Sequence, residues 1–237
     1  MYEAERQSSF FTTGGLAAVH VEDRSKQGIW KGFKNKETYA TSGPQILLWF
    51  DLITTSETFP MGSKVNLEKN PVFEVKAVGS FKQKPGCPDF GLSANDNARL
   101  KKICGGECFN PSNERRNITR IEVIKITPQN YNDEPVDELI EDTWKVFDCK
   151  PSQDGCKIRF SDREFQRNGR DSVYYVRAIE EPSLRVNGDN LRCEYDDQGN
   201  CIKVNICHGS YLTDKEEDCV SLSEERAWSS PIYVNKI

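Results

Sequence analysis

Residues 171–182, DSVYYVRAIEEP, constrain this chain more than any other stretch. From Val173 to Ile179 every residue but Arg177 is apolar or aromatic. Branched and flat side chains suit a pleated, half-buried surface, so the run reads as a β-strand. Alternation puts Val173, Tyr175 and Ile179 on one face and Tyr174, Val176 and Ala178 on the other. Both faces are apolar, which predicts covering layers on both sides. Pro182 ends the run because it has no N–H for a ladder. The C-terminal two-thirds of the chain is therefore expected to fold around a sheet.

Other segments fall into place around this strand. The segment 71–78, PVFEVKAV, alternates cleanly and predicts a half-buried strand. Residues 119–127 predict another, with an apolar phase shift between Val123 and Ile124 of the kind found at a bulge or on a strand buried on both faces. Short strands are expected over 143–147, 157–160 and 232–234, with turn-rich segments between them. Together these predict an antiparallel, sandwich-like β domain over residues 71–237. A short helix is expected over 94–103.

The N-terminal part reads differently. Residues 15–21 predict a strand, residues 25–36 an amphipathic helix carrying Ile29, Trp30 and Phe33, and residues 45–53 a second apolar strand. Strand, helix, strand at this spacing predicts a parallel βαβ unit, with residues 38–44 as the helix breaker. Such a unit cannot cover both faces of its own strands. It is expected to be the last piece of an α/β domain, with residues 54–70 as a linker. Leu47, Leu48, Trp49, Phe50 and Leu52 would then be partly exposed or packed on the β domain.

The chain has 237 residues, 36% hydrophobic and 29% charged, with a net charge of -5 and both signs interspersed. That balance lacks the basic face a general nucleic-acid binder needs. No apolar run approaches the ~20 residues of a membrane-spanning helix. The opening MYEAERQSSFF has neither the basic start nor the apolar core of a secretory signal.

Nine cysteines are many for a reducing compartment. Cys149 and Cys156, Cys193 and Cys201, and Cys207 and Cys219 each bracket a short polar loop, spacing suited to local disulfides. Zinc is the rival reading at Cys104 and Cys108, or at Cys207 with His208, but paired short-spaced ligand hooks are absent. An oxidising compartment, periplasmic or extracellular, would require a signal upstream of Met1. Together with an odd cysteine among Cys87, Cys104 and Cys108, this suggests a fragment of a longer protein.

Only His20 and His208 are available to a metal centre or a general base. His20 lies within an apolar strand and reads as a core histidine. No GxSxG elbow occurs. Asp196–Asn200 resembles part of a calcium loop but lacks its length and closing Glu, so a hairpin turn is the better reading. In α/β sheets the loops at strand carboxyl ends line the binding crevice, which draws attention to Glu22, Asp23 and Arg24.

The segment GGLAAVHVEDRSKQGIWKGFKNKETYATSGPQI resembles the closing segment of the family known as domain of unknown function 3604. That family shows a similar GGLA-V-AE beginning and a RRE-YATSGPRI ending. PGCPDF, GECFNPSNERRNITRIEVIKI, GRDSVYYVRAIEEP, NLRCEYDDQGNC and ERAWSSPIYV extend the resemblance to most of the chain. Full-length relatives resemble the PHP (polymerase and histidinol phosphatase) superfamily of metal-dependent hydrolases. The resemblance implies a divalent metal in the parent, held by ligands upstream of this segment, and none in this chain. It implies that Glu22, Arg24, Tyr39, Thr41 and Ser42 line the parent's site. His20 stands where an aromatic is common, and Gln45 where Arg is frequent. The expected architecture is thus a barrel remnant over 1–53 joined to a disulfide-bearing β domain. The expected function is the C-terminal part of a secreted hydrolase, inactive alone, with the missing N-terminal part of the parent as its partner. The alternative is an independent extracellular binding module.

Overall fold

The computed structural model describes residues 14–87, 89–94, 96, 98–99, 109–186, 193–204 and 220–237. In chain order its strands are β1 (Leu16–Val19), β2 (Thr38–Thr41), β3 (Leu47–Ile53), β4 (Thr58–Pro60), β5 (Lys64–Leu67), β6 (Val72–Val78), β7 (Phe81–Pro85), β8 (Phe109–Arg115) and β9 (Ile118–Ile126). There follow β10 (Ile140–Asp148), β11 (Cys156–Ser161), β12 (Ser172–Glu180), β13 (Ser183–Val186), β14 (Cys193–Tyr195), β15 (Cys201–Val204), β16 (Val220–Ser223), β17 (Arg226–Ser229) and β18 (Ile232–Lys236). Helices are α1 (Lys26–Lys34), α2 (Asp89–Ala94) and α3 (Phe165–Asn168).

Strand β12 is the axis of the larger sheet. One edge pairs along its length with β9, which pairs in turn with β10. Its other edge is shared: residues 172–174 pair with β18 and residues 177–179 with β17. The β17–β18 break at Ser230-Pro231 falls opposite Tyr175, and the N–H of the adjacent Val176 donates to the Ser229 hydroxyl at 3.0 Å. Strand β17 leads on to β2 and β1, and β18 to β5. The second sheet runs β11-β6-β3-β4, all antiparallel.

The two sheets pack face to face through alternate residues. Leu48, Phe50 and Leu52 of β3, and Phe73 and Val75 of β6, meet Tyr174, Val176 and Ala178 of β12 in one buried cluster. Phe73 stacks on Phe50 at 5.4 Å and meets Tyr174 at 4.7 Å between ring centroids. This is the mainly antiparallel, sandwich-like architecture the alternation predicts.

The N-terminal part corrects the reading from sequence. No parallel βαβ unit and no barrel end form among residues 14–53. Strand β1 pairs antiparallel with β2, inside the supposed helix breaker, while β3 joins the other sheet. Thr38–Thr41 alternates Tyr39 and Thr41 inward against β17, and that pairing makes a strand of a segment that looks like a turn. Residues 54–70 carry β4 and β5 rather than a linker, and the strands on either side share a sheet. The division into units over 1–53 and 71–237 is replaced by strands that interleave, and β3 buries its apolar side against the β core.

Two further differences concern the central strands. The outer face of β12 is half-buried, not fully covered. Arg177 spans it, pairing with Glu122 at 2.8 Å and Asp142 at 2.5 Å. Of the two readings of the phase shift at Val123 and Ile124, burial on both faces holds, since residues 121–125 of β9 are all buried; the irregularity in pairing sits on the partner strand, where two steps along β9 are matched by four along β10, between Glu141 and Lys145. Thr143 there adopts a left-handed φ of 58°, uncommon for a β-branched residue. Of the helix expected over 94–103, Ala98 and Arg99 are helical, α2 ends at Ala94, and residues 95, 97 and 100–108 lie outside the described residues.

Of the expected disulfides, Cys149–Cys156 and Cys193–Cys201 are formed. Cys207 and Cys219 lie outside the described residues, and Cys87 is also disulfide-bonded. Asp196 to Asn200 form a hairpin turn: the Asp196 carboxylate accepts from the Gln198 and Asn200 N–H groups.

A buried polar network crosses the core. The Lys125 ammonium lies 2.8 Å from Asp162 Oδ2, which also accepts from the Tyr174 hydroxyl at 2.7 Å. Asp162 Oδ1 accepts from the Glu164 N–H at 2.9 Å. Burial first, and the Asp162 carboxylate second, push the Tyr174 phenol well above its usual range. Lys125→Met would strand a fully buried carboxylate and should cost about 3–5 kcal/mol. Tyr174→Phe removes one donor of several and should cost about 1–2 kcal/mol. Urea denaturation should give that order; equal, small losses would show the network to be dispensable.

Candidate functional site

A cleft of about 650 Å³ opens at the end of the sandwich where β2 leaves the larger sheet and β6 turns into β7. The turn Gly43-Pro44-Gln45 forms one wall, and Ser80, Phe81 and Gln83 another. Arg116 and Arg185 supply its charged lining.

Two buried carboxylates lie behind these groups. Glu180 continues the inward phase of β12 after Tyr174, Val176 and Ala178, and it is fully buried. It accepts hydrogen bonds from the Ser80 backbone N–H and, at 3.1 Å, from the Ser80 hydroxyl. Its own N–H donates to the Glu225 carbonyl at 2.8 Å. Glu225 accepts from the Ser42 hydroxyl and, at 2.7 Å, from Arg185 Nε. Ser42 Oγ in turn accepts from the Arg226 N–H at 2.9 Å.

Backbone proximity places Arg116. Its N–H donates to the Ser80 carbonyl at 2.8 Å. A Cβ on Gly79 would lie 1.9 Å from the Arg116 carbonyl oxygen, so only glycine permits the approach. Phe81 is held by the Arg115 guanidinium, 3.8 Å from its ring centroid.

Burial pushes the Glu180 carboxyl pKa up, against the Ser80 hydrogen bonds and the charges of Arg116 and Arg185. Neighbouring Glu224 behaves oppositely: Arg120 bonds both its oxygens, at 2.7 and 2.8 Å, and draws its pKa down.

The five residues singled out in the sequence are not brought together. Strands β1 and β2 are antiparallel, with Leu16 opposite Thr41 and Val19 opposite Thr38. Glu22 and Arg24 follow the far end of β1, roughly 20 Å along the strands from Ser42 at ~3.3 Å per residue. Both are exposed, and Glu22 pairs loosely with Lys31 at 4.0 Å. Tyr39 and Thr41 are buried in the sandwich. Ser42 alone joins the cleft, through Glu225. Sequence reasoning missed Ser80, Arg116, Glu180, Arg185 and Glu225. The one signal was Glu180, an acid on the apolar phase of a buried strand.

A catalytic divalent cation does not fit the described side chains. No three His, Cys, Asp or Glu residues converge among the described residues. His20 is half-buried, lies within hydrogen-bond reach of the Leu48 carbonyl, Nε2 at 2.8 Å, and packs against Tyr39 and Trp49.

A family model described as "Protein of unknown function (DUF3604)" matches residues 2–82, and over that segment the chain is similar to that family. No curated protein and no solved structure matches the chain. The match takes in Ser42, the Gly43–Gln45 wall and Ser80; Arg116, Glu180, Arg185 and Glu225 lie beyond it.

Glu180 fixes the sign of one pH effect. A carboxyl whose folded pKa is raised binds more protons folded than unfolded between the two values. Its favourable contribution is complete below the unfolded pKa and is lost as pH rises through the folded one. Glu180→Gln should abolish that loss. The stability of the variant relative to the parent should rise from pH 4 to pH 7, read by denaturation midpoints. A difference that is flat or falls would contradict the burial argument.

Proposed function

We propose that the chain is the non-catalytic C-terminal part of a secreted or periplasmic PHP-like metal-dependent hydrolase. The divalent metal and its ligands would belong to the upstream part of that parent. One observation carries the reading. Helix α1 leans on β1 through Gly32, where a Cβ would lie 2.5 Å from Val19 Cγ2 and 2.7 Å from the His20 carbonyl oxygen. Its apolar residues are turned outward: Trp30 is 70% exposed, Phe33 48% and Ile29 38%. An apolar helix face left to water suits a missing partner surface. We take that partner to be the preceding part of the parent, a reading supported by the resemblance of this segment to the end of a longer enzyme. The disulfides agree with an oxidising compartment.

The test has two parts. The purified chain with Mn²⁺ should not hydrolyse bis-p-nitrophenyl phosphate above buffer. Trp30 emission should shift to the blue when the polypeptide encoded immediately upstream is added. Chelator-sensitive turnover by the chain alone, or an unmoved Trp30 signal in a formed complex, would overturn the proposal.

A further inference from the structure

Arg185 and Arg116 carry a second inference, independent of the parent's identity. Arg185 spends Nε on Glu225, a carboxylate only 3% exposed that Ser42 holds from the other side. The guanidinium is thereby fixed in place. Its terminal nitrogens have no hydrogen-bond partner among the described residues, while Arg185 lines the cleft. Arg116 lines it too, anchored by its backbone on Ser80. Both buried glutamates sit behind the wall, so the ionised lining is cationic. Gln45 and Gln83 add amides, and Phe81 an apolar surface.

We infer that this cleft binds a small hydroxylated ligand bearing an oxyanion, carboxylate or phosphate, which the two guanidinium groups recognise. The physical reason is preorganisation. A planar guanidinium offers paired donors matched to an oxyanion, and one already oriented loses little freedom on binding. A volume of about 650 Å³ suits a mono- or disaccharide-sized molecule. The amides would take its hydroxyls, and Phe81 its apolar face.

Three probes with one common body separate the sources: glucose 6-phosphate, glucuronate and glucose. Calorimetry on the full chain should detect saturable binding of at least one of the two anions at about 10 mM or below and none of glucose. Whichever anion binds names the oxyanion. Arg116→Gln should weaken that binding about tenfold or more, since it removes one of two charged recognition groups. Arg116 makes no side-chain hydrogen bond among the described residues, so this variant should keep its fold, checked by circular dichroism. Arg185→Gln leaves Glu225 unpaired and serves as a second variant where it folds. No binding of either anion, equal binding of glucose, or an Arg116→Gln variant that binds as the parent does would overturn the inference.

Discussion

Tyr174 is the point on which the sandwich turns. Its ring meets Phe73 across the two sheets at 4.7 Å, and its hydroxyl caps the buried pair of Asp162 and Lys125. Trp144 lies beside it at 5.8 Å, with the Lys125 and Lys145 ammonium groups over the indole. A one-residue slip of β12 would exchange Tyr174, Val176 and Ala178 for Val173, Tyr175 and Arg177. It would break the polar network and bury Arg177 together. Register is thus fixed by apolar packing and by a hydrogen bond that only one phase can make.

The same phase delivers Glu180 to the end of the sandwich. Burying a carboxylate costs free energy unless donors surround it. Ser80 supplies two of them, and Glu225 a few residues beyond β16 is met by Ser42 and Arg185. These residues come from four separate stretches of chain, and their mutual satisfaction ties the β2 exit, the β6–β7 turn and the β13–β16 hairpin to one place. The cleft follows from this arrangement: the acids lie inside, and the arginine side chains line the opening.

Periodicity made much of the fold legible. The runs at β3, β6, β9 and β12 announce strands because their alternation or branching leaves few other options, and Cys149–Cys156 and Cys193–Cys201 were readable from loop spacing. Pairing was not legible. Residues 15–53 have the local signature of a parallel unit, yet whether β1 pairs with β2 or β3 depends on β17, which arrives at the other end of the chain. Thr58–Pro60 is too short for any periodic signal. The site was hardest, because Arg116 and Arg185 look like ordinary solvated arginines until Gly79 and Glu225 place them. Ser42 was singled out only through the resemblance of its segment to a known family, and its partner could not be guessed.

The central claim is that strands before and after residues 54–70 form one cooperative core. Native-state hydrogen exchange under increasing urea measures this directly, through the amides of Leu48, Phe50 and Leu52 against those of Tyr174, Val176 and Ala178. A single core predicts that both sets open only on global unfolding, with free energies agreeing to within roughly 0.5 kcal/mol and the same urea dependence. If the β3 amides instead opened at lower free energy and with a smaller urea slope, the N-terminal strands would be a separate unit docked on a self-sufficient β domain, and the account would fail.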